Sequence, residues 1–360
     1  MSDDNPGLGR VDGTRPPPLP DAEPLFADER IRWGTVSSPA EPVPASPSDG
    51  AAPPAPSRVE PGLDPAWIAE TVARALDEDL GVAPGRDVTT QATVPPSATG
   101  TAHLVARADG VVAGLVVVEE VTRQVAERFG LPPVEVTFVA SDGTAVGRGR
   151  VLAALTGPVQ VLLAAERTLL NLASRASGVA TATRAWAREL AGTGAQVLDT
   201  RKTTPGLRAL EKYAVRAGGG TNKRMGLYDV AMVKDNHVVA AGSVSAAIDA
   251  IRRTFPDVLV QVEADTTAQA LEAVSAGADF LLLDNMPTPV LAETVAAVRA
   301  REGKDGVPAK VELEATGNLT LDRAREVAGT GVDYLSVGAL THSAPILDLA
   351  LDLLPTLPPR

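Results

Sequence analysis

The chain has 360 residues, of which 44% are hydrophobic and 22% charged, which is enough material for two folded domains. Its net charge of -12 argues against a general nucleic-acid or anionic-membrane binder, because phosphate groups repel such a surface. With no cysteine, the sequence excludes disulfides, cysteine-bound zinc, iron–sulfur clusters and thiol catalysis.

Residues 1–61 hold fourteen of the thirty prolines and show no helical or strand periodicity, so we expect a disordered N-terminal tail. The first residues lack the basic start and the apolar core of a signal peptide, and no apolar run approaches the roughly twenty residues of a membrane span. A cytoplasmic protein without membrane association is therefore expected. For the tail, a solvated extension fits the composition better than a segment that docks a partner.

Residues 62–172 are predicted to form an α+β sandwich domain. Apolar residues recur at helical spacing after Asp64 and predict a first helix. Three β-rich runs and one helical run follow it, at 100–108, 116–129, 134–140 and 151–156. From Val159 the apolar residues again recur at every third or fourth position, which predicts a long helix that carries Arg167 near the domain junction.

Residues 173–340 alternate between short β-rich runs and helical stretches, with the run starts about twenty to thirty-five residues apart, the length of a βα unit. The runs are 197–198, 230–233, 258–262, 280–283, 310–313 and 334–337. Polar or glycine-rich residues follow each run, and the carboxyl ends of parallel barrel strands converge on one rim. The pattern predicts a parallel α/β barrel with one ligand site on that rim. Residues 341–360 are expected to form a helical segment that packs back on the N-terminal domain.

The segment 201–234 has eight basic and two acidic side chains and holds four of the chain's six lysines. Such a patch in an acidic protein is typical of a site for a small polyanion, such as a phosphate, a diphosphate or a dicarboxylate. Four charged residues in it have helical spacing and are more typical of a solvated helix face: Arg208, Glu211, Lys212 and Arg216.

Carboxylates and glycine turns complete the predicted rim. Glu263 and Asp284 each follow a β-rich run, and two such groups can hold Mg²⁺ through water and substrate oxygens or bind sugar hydroxyls. Turns with exposed backbone N–H groups, which can hold a phosphate, follow the last two runs at Thr316-Gly317-Asn318 and Gly338-Ala339. The combination predicts a phosphorylated sugar as ligand.

Seven motifs stand in order along the chain: Glu166-Arg167-Thr168-Leu169-Leu170-Asn171, Ser177-Gly178-Val179-Ala180-Thr181, Asp199-Thr200-Arg201-Lys202-Thr203-Thr204-Pro205-Gly206-Leu207-Arg208, Glu211-Lys212-Tyr213-Ala214-Val215, Lys234-Asp235-Asn236-His237, Leu283-Asp284-Asn285 and Ser336-Val337-Gly338-Ala339-Leu340-Thr341-His342. They closely resemble the motifs of the quinolinate phosphoribosyltransferases, also called carboxylating nicotinate-nucleotide pyrophosphorylases, which are type II phosphoribosyltransferases. The resemblance runs from about Trp67 to the C-terminus and leaves the tail out.

This resemblance implies a reaction, a fold and an assembly. In the reaction, quinolinate and phosphoribosyl pyrophosphate combine with the help of Mg²⁺ and give nicotinate mononucleotide, pyrophosphate and CO₂ for NAD synthesis. The implied fold is an open α/β barrel of about seven strands, TIM-like, beside an N-terminal sandwich. The implied assembly is a homodimer or a hexamer of dimers, in which Arg167 reaches the neighbouring subunit's site.

The resemblance also implies which residues form the site. The expected catalytic residues are Lys202, Lys234, Glu263 and Asp284. Glu263 and Asp284 are also the expected Mg²⁺ ligands, through water and substrate. The expected substrate-binding residues are Arg167, Arg201, Lys202, Thr203, Lys223, Arg224, Lys234, Glu263, Asp284, Thr316, Gly317, Asn318, Gly338 and Ala339.

Two motifs depart from the family pattern. Where the family most often reads Asn-His-Arg, this chain has Asn222-Lys223-Arg224, which places a permanent cation where an imidazole is usual. Where the phosphate loop often reads Ser-Gly-Gly, this chain has Thr316-Gly317-Asn318, which keeps a hydroxyl and the first glycine.

Two other functions are weighed against this one. The first is a paralogous pyrophosphorylase that acts on another acceptor, a group that includes proteins associated with molybdenum transport. Against it, four retained cations favour a dicarboxylate acceptor: Arg167, Arg201, Lys202 and Arg224. The second is a non-catalytic metabolite-binding or scaffold protein, which would have no need of Glu263, Asp284 and Lys234.

Overall fold

The computed structural model describes residues 62–301 and 310–355, so the expected tail at 1–61 lies outside the described residues. The α-helices in the described part are α1 (Pro65–Leu80), α2 (Val88–Thr93), α3 (Val118–Phe129), α4 (Val159–Glu189), α5 (Arg208–Ala217), α6 (Asp235–Ala241), α7 (Val244–Thr254), α8 (Thr267–Ser275), α9 (Thr288–Arg299), α10 (Ala324–Ala328) and α11 (Ala339–His342). The strands are β1 (Thr99–Ala106), β2 (Gly110–Val111), β3 (Glu135–Phe138), β4 (Ala145–Val146), β5 (Val151–Pro158), β6 (Gln196–Leu198), β7 (Ala231–Val233), β8 (Val260–Ala264), β9 (Phe280–Asp284), β10 (Glu312–Thr316), β11 (Tyr334–Ser336) and β12 (Leu349–Leu353).

The N-terminal domain contains an antiparallel four-stranded sheet in the order β12-β1-β5-β3. Helix α1 begins where the Asp64 carboxylate accepts a hydrogen bond from Ala66 N, with Pro65 at the first helical position. Helix α3 buries Val118, Val121 and Val125 on one face, as its periodicity predicts. Helix α4 contacts β1, β5 and β12 of the sheet and packs with α1 and α3, which gives the predicted sandwich.

The second domain is built on a parallel six-stranded sheet in the order β6-β11-β10-β9-β8-β7. Strands β6 and β7 end this order and do not pair with each other, so the predicted barrel is open. An isolated parallel bridge between Leu198 and Thr221 adds one further backbone pairing outside β6. Since all six strands run in one direction, their carboxyl ends lie at one rim, as the sequence predicted.

Helix α4 spans 31 residues and packs against elements of both domains, including β1, β5, β6 and α5. The expected domain boundary at 172/173 lies inside it. Gly178 faces the chain after α11, where an added Cβ would come within 2.0 Å of Pro345 O and 2.8 Å of Ile346 Cα. The glycine of the Ser177-Gly178 motif is therefore required by a close backbone contact.

The prediction of a helical segment at 341–360 is wrong. After the single turn of α11, the chain forms strand β12, which pairs antiparallel with β1 so that Leu351 faces Leu104. The physical reason is that leucine stands at every second position from 347 to 353, with Asp348, Ala350 and Asp352 between, which is the period of two of a strand and not that of a helix. The segment does pack on the N-terminal domain, as an added strand.

No helix in the described ranges is long and apolar enough to cross a membrane. The cytoplasmic location stays a prediction.

We expect Gly178→Ala to lower the free energy of unfolding by about 2 kcal/mol. The backbone clash with Pro345 should cost about 3 kcal/mol, which exceeds the helix-propensity gain of about 1 kcal/mol. Urea denaturation measures the change. Gly62→Ala is the control, because nothing lies within 4 Å of its added Cβ; equal unfolding free energies for the two variants would contradict the prediction.

Candidate active site

The parallel sheet gathers most of the predicted site residues at its carboxyl-terminal rim. Thr316 ends β10 directly opposite Asp284, which ends β9. The others lie in or just after neighbouring strands: Arg201, Lys202 and Thr203 after β6, Lys234 after β7, Glu263 in β8, and Gly338 and Ala339 after β11. One edge of one sheet therefore carries both the cationic and the anionic side chains.

The anionic side of the rim is a cluster around Asp284. The Lys234 ammonium forms an ion pair with Glu263. Burial and the neighbouring carboxylates of Glu263 and Asp265 raise the pKa of Asp284 above its ordinary value, and Lys234 partly opposes this shift. Asp265, two residues after Glu263, was not among the predicted site residues, although its place directly after β8 was a usable signal.

Mg²⁺ fits this cluster only with help from a substrate. Within residues 62–301 and 310–355, no group of three or more Asp, Glu or His side chains is placed to hold a metal ion. Glu263 is already paired with Lys234, so Glu263 and Asp284 offer few free oxygens. Mg²⁺ commonly binds through one or two carboxylates while water and substrate phosphates supply its other ligands, and this donor set suits that arrangement.

The cationic side of the rim consists of Arg201, Lys202 and Arg224. Burial and the adjacent Arg201 lower the pKa of Arg224, and the carboxylate of Asp229 partly opposes this shift. Arg224 donates to Val230 O at 3.0 Å. Lys202 is anchored by its carbonyl, which accepts a hydrogen bond of 2.8 Å from Thr341 Oγ1. In the described part of the chain, no carboxylate lies within ion-pair distance of these three residues. Adjacent cations that form no ion pair suit a site for an external anion.

Two other lysines of the basic segment are buried in ion pairs beneath the rim. Lys212 is 1% exposed and pairs with Asp199, which is fully buried. Lys223 is 7% exposed, and its Nζ lies 2.6 Å from Oε1 of the fully buried Glu314. The charge of Lys223, the residue found where the family has histidine, is therefore neutralised inside the barrel.

The prediction of a solvated face on α5 is wrong. Glu211 is fully buried, where it accepts hydrogen bonds from Arg175, Thr204 N and Thr204 Oγ1. The helix is covered by α4 on one side and by the loop after β6 on the other, so its charges need internal partners. Spacing within one helix cannot reveal this, because Arg175 and Asp199 lie on other elements.

Arg208, the first residue of α5, braces the loop that carries the rim cations. Its guanidinium donates to Thr203 Oγ1 at 2.9 Å and to Met225 O at 3.0 Å. The predicted site residue Thr203 thus has its hydroxyl engaged by Arg208, and the loop after β6 is joined to the loop that carries Arg224.

The predicted phosphate loops lie beside the two sides of the rim. Gly317 and Asn318 both have positive φ, of 91° and 45°. Asn318 donates to Asn285, and Asn285 donates to Asp284. Gly338 leaves room for Lys202, whose Cδ would lie 3.1 Å from a Cβ at that position.

Arg167 lies apart from the rim residues. It is an exposed residue of α4 and lines a cavity of about 510 Å³ together with residues of the N-terminal domain, among them Asp79, Arg86 and Asp87. None of the described rim residues lines this cavity. Within a single chain, the predicted site is therefore without Arg167.

Two histidines lie near the rim. The Nδ1 atom of His237 accepts a hydrogen bond of 3.0 Å from Lys234 N, the residue that follows β7. His342 lies next to Gly338, which has room only for small groups on that side. Neither imidazole is placed as an acid or base by these contacts.

The fold is an open parallel α/β barrel, and its rim carries both unpaired cations and a carboxylate cluster. These features define the class of the protein as an α/β-barrel enzyme for small anionic substrates. Comparison with known proteins narrows this class. The model for the quinolinate phosphoribosyl transferase N-terminal domain matches residues 87–177, and the model for the C-terminal domain matches residues 179–352.

Relatives and solved structures agree with these matches. The chain is 46% identical over 284 residues to a carboxylating nicotinate-nucleotide pyrophosphorylase of Mycobacterium leprae, a span that covers 79% of this chain and 96% of the relative. It is 38% identical to a decarboxylating quinolinate phosphoribosyltransferase of Nicotiana glauca over 81% of this chain and 84% of the relative. The structure of NadC from Streptococcus pyogenes is similar, with a TM-score of 0.74 and 35% identity over 82% of this chain and all of that one. The chain belongs to the quinolinate phosphoribosyltransferase family.

We expect Lys223→Met to lower the free energy of unfolding by about 3 kcal/mol or more, because it leaves the Glu314 carboxylate buried without a partner. The double variant Lys223→Met with Glu314→Gln should recover much of this loss, since it removes both buried charges. Chemical denaturation of the two variants measures the coupling. Equal destabilisation by the single and the double variant would contradict a buried ion pair.

Proposed function

We propose that this chain transfers the phosphoribosyl group of phosphoribosyl pyrophosphate to quinolinate and decarboxylates the product. The products are nicotinate mononucleotide, pyrophosphate and CO₂, within de novo NAD synthesis. The observation that carries the proposal is the contrast along the rim: Arg201, Lys202 and Arg224 form no ion pair among the described residues, while the carboxylates of Glu263 and Asp284 lie on β8 and β9 of the same rim.

The unpaired cations suit an acceptor with two adjacent carboxylates. The guanidinium groups of Arg201 and Arg224 lie close enough to influence each other, and each can grip a carboxylate with two N–H donors. Lys202 offers a mobile point charge beside them. A nicotinate-like acceptor with one carboxylate would leave part of this positive charge unmatched.

The acceptor needs no general base, because the pyridine nitrogen already carries the lone pair that attacks carbon 1 of the ribose. The bond from nitrogen to carbon forms while the bond from carbon to pyrophosphate breaks, and the electron pair leaves with pyrophosphate. Positive charge that develops on the sugar is stabilised by the carboxylates of Glu263 and Asp284. Lys234 orients Glu263 through their ion pair.

Decarboxylation then follows from the charge on the ring. The attached ribose makes the pyridine ring cationic, so the ring can hold the electron pair that remains on carbon 2 when CO₂ departs. A proton from solvent replaces the lost group. We assign Lys202 to orient the departing carboxylate until the bond breaks.

Mg²⁺ is part of the proposal and would be held by Glu263 and Asp284 through water and by the substrate phosphates. When bound, it neutralises charge on the departing pyrophosphate. The glycine turns at Gly317 and Gly338 supply backbone N–H groups for the 5′-phosphate. Both turns lie at the rim, beside the carboxylates and Lys202 respectively.

We further propose that the site is shared between subunits of a homodimer, alone or within a hexamer. Arg167 is exposed on the N-terminal domain and lies apart from the rim of its own chain. It can therefore complete a site at the rim of a neighbouring subunit. Its charge would add to that of Arg201 and Arg224 at the acceptor.

The two alternatives make different demands on the site. A pyrophosphorylase for another acceptor would not need three unpaired cations at the rim. A scaffold protein would gain nothing from the Lys234–Glu263 pair beside Asp284, whose partly buried carboxylate lies close to other carboxylates.

The direct test is release of CO₂ from carboxyl-labelled quinolinate by the purified protein with phosphoribosyl pyrophosphate and Mg²⁺. Release that requires all three, with equal formation of nicotinate mononucleotide, supports the proposal. A folded protein that binds phosphoribosyl pyrophosphate and releases no CO₂ refutes quinolinate as the acceptor.

Lys202→Ala should lower kcat by at least a hundredfold, because it removes the only rim lysine without a carboxylate partner in the described region. Mixing this variant with Arg167→Ala chains should restore part of the activity, since a mixed dimer holds one site with both residues intact. Absence of recovery at any mixing ratio would count against a shared site.

Activity should fall as the pH decreases, because the reaction needs the charged form of Asp284. The fall should occur at a higher pH than for an ordinary aspartate, since the pKa of Asp284 is raised. Asp265→Asn removes one cause of that shift, so the acid limb of the kcat profile should move to lower pH. Asp257→Asn serves as control, since it lies before β8 at the opposite end of the barrel. An unmoved acid limb in Asp265→Asn would be the contrary result.

A further inference from the structure

We propose that Asn318 positions the Asp284 carboxylate through Asn285, so that the loop after β10 orients the sugar-facing carboxylate of β9. The inference rests on the proposed function and concerns one of the two motifs in which this chain departs from the family's sequence. Asn318 is here a positioning residue, because it acts on Asp284 through another side chain.

The contacts form a continuous chain of side chains. Asn318 Nδ2 donates to Asn285 Oδ1 at 3.1 Å, and Asn285 Nδ2 donates to Asp284 Oδ2 at 3.0 Å. The backbone supports the same junction, since Asn285 N donates to Thr316 O at 3.0 Å. The two loops are thus joined by one backbone and one side-chain hydrogen bond.

The backbone around this junction is unusual in three places. Asn285 and Asn318, with φ of 53° and 45°, are the two residues other than glycine with positive φ in the described ranges. Gly317 lies between them in space, and a Cβ there would come within 2.2 Å of Asn285 Oδ1. Asparagine tolerates this left-handed conformation better than most residues, and glycine is needed where the amide approaches.

The contact matters because of what surrounds Asp284. Glu263 and Asp265 repel its carboxylate, while Lys234, the nearby cation, is paired with Glu263. The Asn285 amide is then the neutral donor that holds one oxygen of Asp284. Asn318 donates a hydrogen bond to the oxygen of the Asn285 amide. This contact keeps the NH₂ group of Asn285 directed toward Asp284.

A double-mutant cycle in kcat tests the connection. Asn318→Gly removes the first hydrogen bond of the chain and Asn285→Gly removes both, and each keeps the positive φ without steric strain. Asn318→Gly should lower kcat roughly three- to tenfold, the loss of one hydrogen bond, and Asn285→Gly at least as much, while each changes KM for phosphoribosyl pyrophosphate less than about twofold. The double variant should be no slower than the slower single variant, because both act through one chain of contacts.

A direct contact of Asn318 with the phosphate predicts another pattern. KM for phosphoribosyl pyrophosphate would then rise in Asn318→Gly, and the effects of the two substitutions would multiply. That pattern overturns the inference and leaves the proposed function intact.

A spectroscopic readout separates failure of the inference from failure of the proposed function. The sequence has six asparagines, so selective ¹⁵N labelling of asparagine gives six side-chain NH₂ signals. The signal of Asn285 is identified by its loss in Asn285→Gly, and it should shift in Asn318→Gly without any substrate present. An unmoved Asn285 signal overturns the inference whether or not the protein turns over quinolinate, whereas inactivity of the unaltered protein refutes the proposed function alone.

Discussion

A buried charge must have a partner, and this constraint decides which cations of the basic segment can reach a substrate. Lys212 and Lys223 are held by Asp199 and Glu314 inside the fold, where an unpaired charge would be strongly destabilising. Lys234 is engaged by Glu263 at the rim. The positive charge that remains for a ligand is therefore confined to one edge, and the acceptor proposed for this site follows from that distribution.

Helix α5 connects this charge distribution to the rest of the molecule. Three consecutive residues contact three different parts of the fold: Glu211 the loop of Thr204, Lys212 the end of β6 through Asp199, and Tyr213 the buried Asp142 of the N-terminal domain at 2.6 Å. Because Lys212 also donates to Lys223 O at 2.9 Å, the backbone just before Arg224 is held by the same helix. The rim cations thus depend on a buried polar network for their position.

The sequence predicted the elements and the rim well because both depend on local patterns. Apolar runs at βα spacing identified all six barrel strands, and the residues at their ends identified Glu263, Asp284 and Lys202. Strand β12 was misread in spite of its local alternation, whereas the missed features of the site depend on partners distant in the chain. Glu211 and Lys212 have the spacing of a solvated face, and only Arg175 and Asp199 reveal their burial. The link from Asn318 to Asp284 likewise joins two loops 33 residues apart, and no periodicity marks it.

The central claim is that the unpaired rim cations select an acceptor with two carboxylates. Calorimetric titration of the protein with quinolinate and with nicotinate, under one set of buffer conditions, tests it most directly. Quinolinate should bind at least tenfold more tightly, because its second carboxylate gains charge-assisted hydrogen bonds at Arg201 and Arg224. Equal dissociation constants for the two acids would contradict the account.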